Sequence, residues 1–437
     1  MASGCQLNSE DAMPGHLAEK QFLGLARVDI ELLLTTGIAR ALGISALILV
    51  SQNLGSHSLG GVVWYLSTTG LISGLAQLGV APIVAKEIAK MATPTLRRDL
   101  SVGFLATSFL CSISISGVIA LIQWSSCNYG SCLLNPIFSP LLLTIWGISV
   151  TVSSVSQTIF STQHSKSLSG RFLAIRSLFT TVAIAVASKQ HGQQEVFQYI
   201  TFAEILVASG AIFVIVGTKL KNLRVITSIK AFVSMFRETG LRILGVTVIT
   251  QLALWIPQTY LAHQPGGLDE LGVYGIAARI SLVISFIPGV LLSRELPRMS
   301  ENSNRVPQKW IKEATRVTKR SMKFSAIGFI ALIFLIPILQ KQTNISQAMF
   351  IPVFTCTLFM TFLSSINSLV GVIAISGDLT PEWIVSDLIL AVTQVVFGLL
   401  LVKEFGAVGL AISGSLAYFA SVLYLGLRIR NKVLTCV

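Results

Sequence analysis

GVYGIAARISLVISFIPGVLLSRELPRM, residues 272–299, is the stretch from which the rest of the chain is read. It is apolar for long enough to cross a bilayer, which takes about 20 helical residues. One arginine, Arg279, sits well inside its first end, and the run closes on the basic collar Arg294-Glu295-Leu296-Pro297-Arg298. A guanidinium at bilayer depth costs about 2.5–3.5 kcal/mol on insertion scales, so Arg279 is expected to face a wet cavity or a partner rather than lipid. The collar has the composition of a cytoplasmic helix end. This helix and a counterpart near the N-terminus are expected to line a cationic cavity.

The composition extends that reading to the whole chain. Its 437 residues are 53% hydrophobic and only 12% charged, with a mean hydropathy of +0.75. Soluble domains carry about 25% charged residues, so most of this chain belongs in lipid. The formal net charge of +13 sits in short links between apolar runs. That placement follows the positive-inside rule, and no nucleic-acid partner is expected.

Apolar windows give twelve spans, at 33–54, 60–82, 101–123, 137–158, 172–189, 196–217, 239–261, 272–293, 323–340, 347–375, 382–402 and 406–427. The predicted fold is an all-α polytopic membrane protein of two six-helix lobes around a central cavity. Residues 1–32 form an N-terminal tail, 33–217 the first lobe, 218–238 a basic inter-lobe linker, 239–427 the second lobe and 428–437 a C-terminal tail. The tail and the links after even-numbered spans hold nearly all the cations, Lys86, Lys90, Arg97 and Arg98 among them. The opposite links hold only Lys189, Lys341 and Lys403. Both termini are therefore expected in the cytoplasm. The tail carries Glu10, Asp11, Glu19, Asp29 and Glu31 and lacks the apolar core of a signal peptide.

The two halves repeat. Arg40-Ala41-Leu42-Gly43 in the first span matches Arg242-Ile243-Leu244-Gly245 in the seventh, and Lys86–Met91 after the second matches Arg294–Met299 after the eighth. An even number of crossings separates equivalent positions, so the repeats are parallel, a plan common among secondary transporters.

Apart from Lys189 and Lys323 at span ends, four arginines and no lysine fall inside the spans: Arg40, Arg176, Arg242 and Arg279. Arg176 and Arg242 lie near the cytoplasmic boundary, where a long side chain can snorkel to the headgroups. Arg40 and Arg279 lie roughly two turns in, from opposite sides, and are expected to face the cavity. Glu204 is the one carboxylate well inside a span; it either balances an arginine or titrates and couples transport to ions. Asp387 reads as a boundary residue. A cavity of fixed guanidiniums suits an anion, because the planar fork matches phosphate oxygens and its charge does not titrate away.

Catalysis finds no support in the motifs. There is no Walker-type loop, no GxSxG elbow and no His/Cys spacing for a metal; His57, His164, His191 and His263 are isolated in polar links, and His16 sits in the tail. No cofactor is expected beyond a proton or sodium gradient. Cys111 and Cys356 lie in apolar runs, while Cys127 and Cys132 share one short polar link, either as a local disulfide or as two free thiols.

The chain resembles the polysaccharide flippases, the Wzx-type O-antigen and capsule transporters. Their superfamily also holds the lipid II flippases and the multidrug and toxin extrusion exporters. The resemblance runs over about residues 33–430 and is carried by ARALG (39–43), LGGVVWYLS (59–67), LGVAPIVAKEIAK (78–90), LGVYGIAARISLVISFIPGVLLSRELPRM (271–299) and EFGAVGLAISGSLA (404–417). It implies a V-shaped transporter in the bacterial inner membrane. The cargo would be an undecaprenyl-diphosphate-linked oligosaccharide carried from the cytoplasmic to the periplasmic leaflet. By the motifs of the lipid II relatives, Arg40 and Arg279 would line the cavity; the second span has no arginine to match theirs, which argues against lipid II as cargo. The partners implied are the lipid-linked oligosaccharide, membrane lipids and the polysaccharide polymerase or chain-length machinery. The competing readings are a cation-coupled multidrug exporter, which would need cavity carboxylates, and a glycan polymerase, which would need a larger outside loop.

Overall fold

The computed structural model describes residues 15–77, 94–128, 140–163, 166–190, 193–216, 241–285, 307–343, 345–377 and 379–436, with a few isolated positions between them. Ten continuous helices run through these residues. The first, Gly15–Ala76, bends at Gly55, and the last, Thr380–Cys436, bends at Gly406. The apolar stretch Leu34–Ala76 alone is 43 residues long. At 1.5 Å per residue that is about 65 Å, twice the hydrocarbon thickness, so the bend separates two crossings.

Split at the two bends, the described residues hold twelve helices. In the first half these are α1 (15–54), α2 (56–76), α3 (Pro94–Asn128), α4 (Pro140–Gln163), α5 (Lys166–Gln190) and α6 (Gln193–Val216). The second half has α7 (Leu241–Ala262), α8 (Gly267–Ser281), α9 (Pro307–Thr343), α10 (Gln347–Ser376), α11 (380–405) and α12 (407–436). Most packing stays within each half: α1–α2 against α3, α4 and α5, and α10 against α11–α12. The halves meet chiefly where α2 and α1 face α8 and α7. This is the predicted all-α, two-lobe architecture.

The burial pattern is that of a protein in lipid. Large apolar side chains point outward, Phe334 at 76% and Phe213 at 70% exposure, while Ser101, Ser108, Ser112, Ser149, Ser153 and Ser156 are buried between helices. Without water to drive apolar burial, helices in lipid associate through close packing of small residues and hydrogen bonds between them.

Several helix bounds differ from the apolar windows, three of them where charges lie. α5 begins at Lys166, α8 at Gly267 and α9 at Pro307, each upstream of its window. A hydropathy window ends at the first charges, whereas a helix runs on through the headgroup region. In α9 the added turns bury Trp310, Ala314, Val317 and Ser321 and expose Lys312, Arg316, Lys319, Arg320 and Lys323. That spacing makes one basic face on an amphipathic helix. Cations assigned by sequence to a link therefore sit on a helix. The motif pair Lys86–Met91 and Arg294–Met299, apart from Met299, lies outside the described residues, as do Cys127, Cys132 and most of the linker 218–238.

One end of the bundle is tied together with care. Among the described residues, Gly55, Gly266 and Gly406 are the glycines with positive φ, at 81°, 73° and 55°, a conformation that side chains with a Cβ resist. Each turns the corner between two crossings, and all three corners lie at the end opposite the chain termini. From the first turn of α8, Asp269 accepts a hydrogen bond from Ser56 Oγ and stands 3.5 Å from His57 Nδ1. Its neighbour Glu270 accepts the backbone N–H of Ala407 at 2.6 Å. Asp269 thus ties α8 to the start of α2, and Glu270 ties it to the start of α12. A carboxylate on a helix N-terminus satisfies an orphan donor and meets the positive end of the dipole. Glu270→Ala is expected to lower stability by about 1–2 kcal/mol in thermal unfolding, with Glu270→Gln retaining part of it through its amide oxygen.

Candidate functional site

The site lies where α2 and α8 cross. Three glycines bring their backbones into contact: a Cβ on Gly60 would run into the Leu268 carbonyl, one on Gly275 into Val63, and one on Gly272 would stand 2.6 Å from the Ser56 carbonyl oxygen. Below this contact the halves diverge around a cavity of about 290 Å³, whose wall includes Ser67, Gln258, Tyr274, Arg279, Ser364 and Tyr418. Among the described residues no carboxylate lines it.

Polar bonds across the seam hold the cavity closed toward the corners. Ser67 Oγ donates to Gln258 Oε1 at 2.5 Å. Trp64 Nε1 donates to Thr259 Oγ1 at 3.2 Å, and Trp255 Nε1 donates to Thr68 Oγ1 at 3.0 Å. The last two are reciprocal: each helix offers a tryptophan and, four residues on, the threonine that receives the other's indole. Nearer the corners, Ser51 Oγ donates to the Thr343 carbonyl at 2.6 Å and Gln52 Nε2 to the Gln342 carbonyl at 2.7 Å. Thr68→Val and Thr259→Val keep the shape but strand an indole N–H. Each is expected to cost about 1–2 kcal/mol in thermal unfolding.

Arg279 is open to water-sized probes and lines the cavity, yet the protein surrounds it and the charges of Arg176 and Arg40 repel it. Among the described residues it has no ion-pair or hydrogen-bond partner. Arg40 Nη1 donates to the carbonyl of Leu282 at 2.8 Å, just where α8 is interrupted. Leu282 itself lines the cavity. The two arginines therefore do not approach from opposite sides, as their positions in the windows suggested. Counted down from the Gly55 and Gly266 corners, both lie about 20 Å deep at 1.5 Å per residue. The reason is the earlier start of α8, whose first turn accommodates Asp269 and Glu270.

Arg176 departs from its expected role as well. α5 starts at Lys166, so Arg176 lies about 15 Å along it. It does not snorkel. Its Nε donates to both oxygens of Glu204, at 2.9 and 3.1 Å, and Ser153 Oγ donates to Glu204 Oε2 at 3.3 Å. Glu204 is only 4% exposed. Glu204 thus balances an arginine, the first of the roles that the sequence offered. Arg242 occupies the first turn of α7, and its side chain lies outside the described residues. No cluster of metal-ligating side chains occurs among the described residues.

The arrangement of helices has close counterparts among solved structures. Lipid II flippase MurJ in an inward-closed conformation superposes with a TM-score of 0.71 over 92% of this chain and 87% of its own, at 15% identity. An inward-facing multidrug resistance MATE family transporter of the MOP superfamily gives 0.67 over 92% and 98%, also at 15% identity. This chain has the MOP-superfamily fold. No family model and no curated protein matches its sequence. A further MOP transporter, from Pyrococcus furiosus and described by a binding pocket of reverse polarity, gives 0.59 at 12% identity over 93% and 95%. Eight helices among the described residues are long and apolar enough to cross a membrane.

Asp269, Glu270, Trp64, Trp255, Ser67 and Gln258 were not singled out by sequence. Two signals were available. Gly266-Gly267-Leu268-Asp269-Glu270 has the small residues and acidic first turn of a helix start, and Trp64/Thr68 and Trp255/Thr259 share an i,i+4 spacing.

Proposed function

We propose that this protein flips an undecaprenyl-diphosphate-linked oligosaccharide, an O-antigen, capsule or similar repeat unit, from the cytoplasmic to the periplasmic leaflet of the bacterial inner membrane. The observation that carries this reading is Arg279, a guanidinium on the wall of the cavity, with no partner among the described residues and with Arg40 and Arg176 acting on it as like charges. Arg176 has Glu204 as its counter-charge, whereas Arg279 has no carboxylate partner among the described residues, and an anion bound beside it relieves the repulsion from its neighbours. The diphosphate supplies that anion. Ser67, Gln258, Ser364 and the two tyrosine hydroxyls offer hydrogen bonds for sugar, while the polyprenyl chain stays in lipid through the opening between the lobes. Alternating access then rocks the lobes about the cavity. With both termini cytoplasmic, the glycine-turned corners face the periplasm and the conformation described here is closed on that side. The polymerase or chain-length machinery would receive the product.

A second reading, cation-coupled multidrug export, draws on the exporters among the similar folds. It calls for a carboxylate on the cavity wall, and the described lining has none.

The test is reconstitution in proteoliposomes with a fluorescent short-chain polyprenyl-diphosphate sugar, alongside efflux of a cationic dye. The expected result is transbilayer movement of the lipid-linked sugar and no dye efflux. Dye efflux without sugar-lipid movement would overturn the assignment. In cells, deletion of the gene is expected to abolish one surface glycan and leave its lipid-linked unit accumulating on the cytoplasmic side.

A further inference from the structure

We propose that the outward face of α9 formed by Lys312, Arg316, Lys319, Arg320 and Lys323 is a binding surface for the headgroups of acidic phospholipids. The inference goes beyond the reading of the cavity and holds whatever cargo the protein carries.

Three observations support it. First, the five cations share one side of the helix. All five are exposed, and at about 100° per residue they fall within about 100° of one another. Glu313 is the one acid within residues 307–323, and it is partly buried. Second, the same face runs on into lipid. Ile327, Ile330, Phe334 and Ile338 continue its line and are exposed as well, so the face changes from basic to apolar within one turn. Residues 324–343 are enough to cover a hydrocarbon layer of about 30 Å. Lys319, Arg320 and Lys323 then stand in the headgroup layer beside it. Arg316 and Lys312 lie outside that layer by distances on the order of the Debye length, about 8–10 Å. The bilayer around the apolar half of the face therefore continues onto the basic half.

Third, the inner side holds this segment in place. Trp310 Nε1 donates to Ser376 Oγ of α10 at 3.1 Å. Ala314 and Val317 join one buried cluster with Leu369 and Ile373 of α10, and Ile429 and Val433 of α12 pack against it. A loose basic tail loses freedom when it binds, whereas these cations are positioned before a lipid arrives.

The charge of the face selects its occupant. An acidic headgroup such as phosphatidylglycerol carries a net negative charge, while phosphatidylcholine balances its phosphate with an ammonium. Lysine and arginine donate charge-assisted hydrogen bonds to phosphate oxygens. Each cation near an acidic membrane surface strengthens the attraction by about fivefold. The last turns of α12 bring two further exposed cations, Arg428 and Arg430, to the same end. A soluble acidic partner would have to displace headgroups to reach Lys319, Arg320 and Lys323. With both termini cytoplasmic, the lipid bound here belongs to the inner leaflet.

The test measures which lipids the full chain retains, by native mass spectrometry from micelles holding equal amounts of phosphatidylglycerol and phosphatidylcholine. The unmodified chain is expected to retain phosphatidylglycerol preferentially. Lys319→Gln/Arg320→Gln/Lys323→Gln is expected to lose about tenfold or more of that preference, and an unchanged preference overturns the proposal. Lys341→Gln/Lys403→Gln removes two exposed cations at the corner end and is expected to keep it. An equal loss in that control would assign the effect to net charge alone and also overturn the proposal. Where the triple variant does not fold, the unmodified chain supplies a second measurement. Phosphatidylglycerol is expected to raise its unfolding temperature above that in phosphatidylcholine at about 0.1 M salt, and the difference to vanish at about 1 M. A difference that persists at high salt rules out headgroup charge as the cause. Polyglutamate serves as the competing occupant. If it binds the chain in phosphatidylglycerol nanodiscs and the triple variant abolishes that binding, the face docks an acidic protein instead.

Discussion

Arg279→Gln is expected to lower flipping of a diphosphate-linked sugar by about 30-fold or more while leaving the protein folded and at normal abundance. A charge-assisted bond to phosphate contributes about 1.5–3 kcal/mol, and each 1.4 kcal/mol is a factor of ten. Thermal stability supplies the control. Arg279 makes no ion pair or hydrogen bond among the described residues, and Arg40 and Arg176 repel it. Removing its charge relieves that repulsion, so the unfolding temperature of Arg279→Gln is expected to hold or rise. Arg279→Lys should recover only part of the activity, because an ammonium lacks the planar fork. Flipping at the wild-type rate in Arg279→Gln would remove the residue from the site. Arg40→Gln behaves differently: it also loses the bond to the Leu282 carbonyl, so activity and stability are expected to fall together.

The second large effect belongs to the α2–α8 crossing. A leucine at Gly60 would drive its side chain into the Leu268 backbone, which no rotamer change relieves. Gly60→Leu is expected to keep α2 and α8 apart and abolish transport, with labelling of a cysteine at position 67 rising as water reaches the cavity from the corner end. The complementary lock is a Ser56→Cys/Asp269→Cys pair, since the native side chains already touch. Oxidation is expected to stop flipping and reduction to restore it. Full activity in the oxidised, cross-linked protein would mean that these corners never separate during transport.

Much of the architecture was legible in the sequence, because the bilayer allows few solutions. Twelve apolar windows fell on twelve helices, and Arg279 stood out because an arginine in such a run has few places to go. The depth of each charge was less legible. Hydropathy marks where residues cease to be apolar, not where the helix ends, so the window gave no sign that ten residues of α5 precede Arg176. Its pairing with Glu204 joins two helices that no local pattern connects. Asp269 and Glu270 were hidden for a related reason: two acids next to a glycine pair look like a loop until the partners, Ser56 and Ala407, arrive from distant parts of the chain.

Those two adjacent acids also draw a boundary. Glu270 grips a helix of its own half, whereas Asp269 grips the other half. If the lobes move as bodies, the division falls between one residue and the next. Hydrogen–deuterium exchange should register it as a step: the Ala407 amide stays slow throughout the cycle, while amides at the start of α2 quicken whenever the halves part.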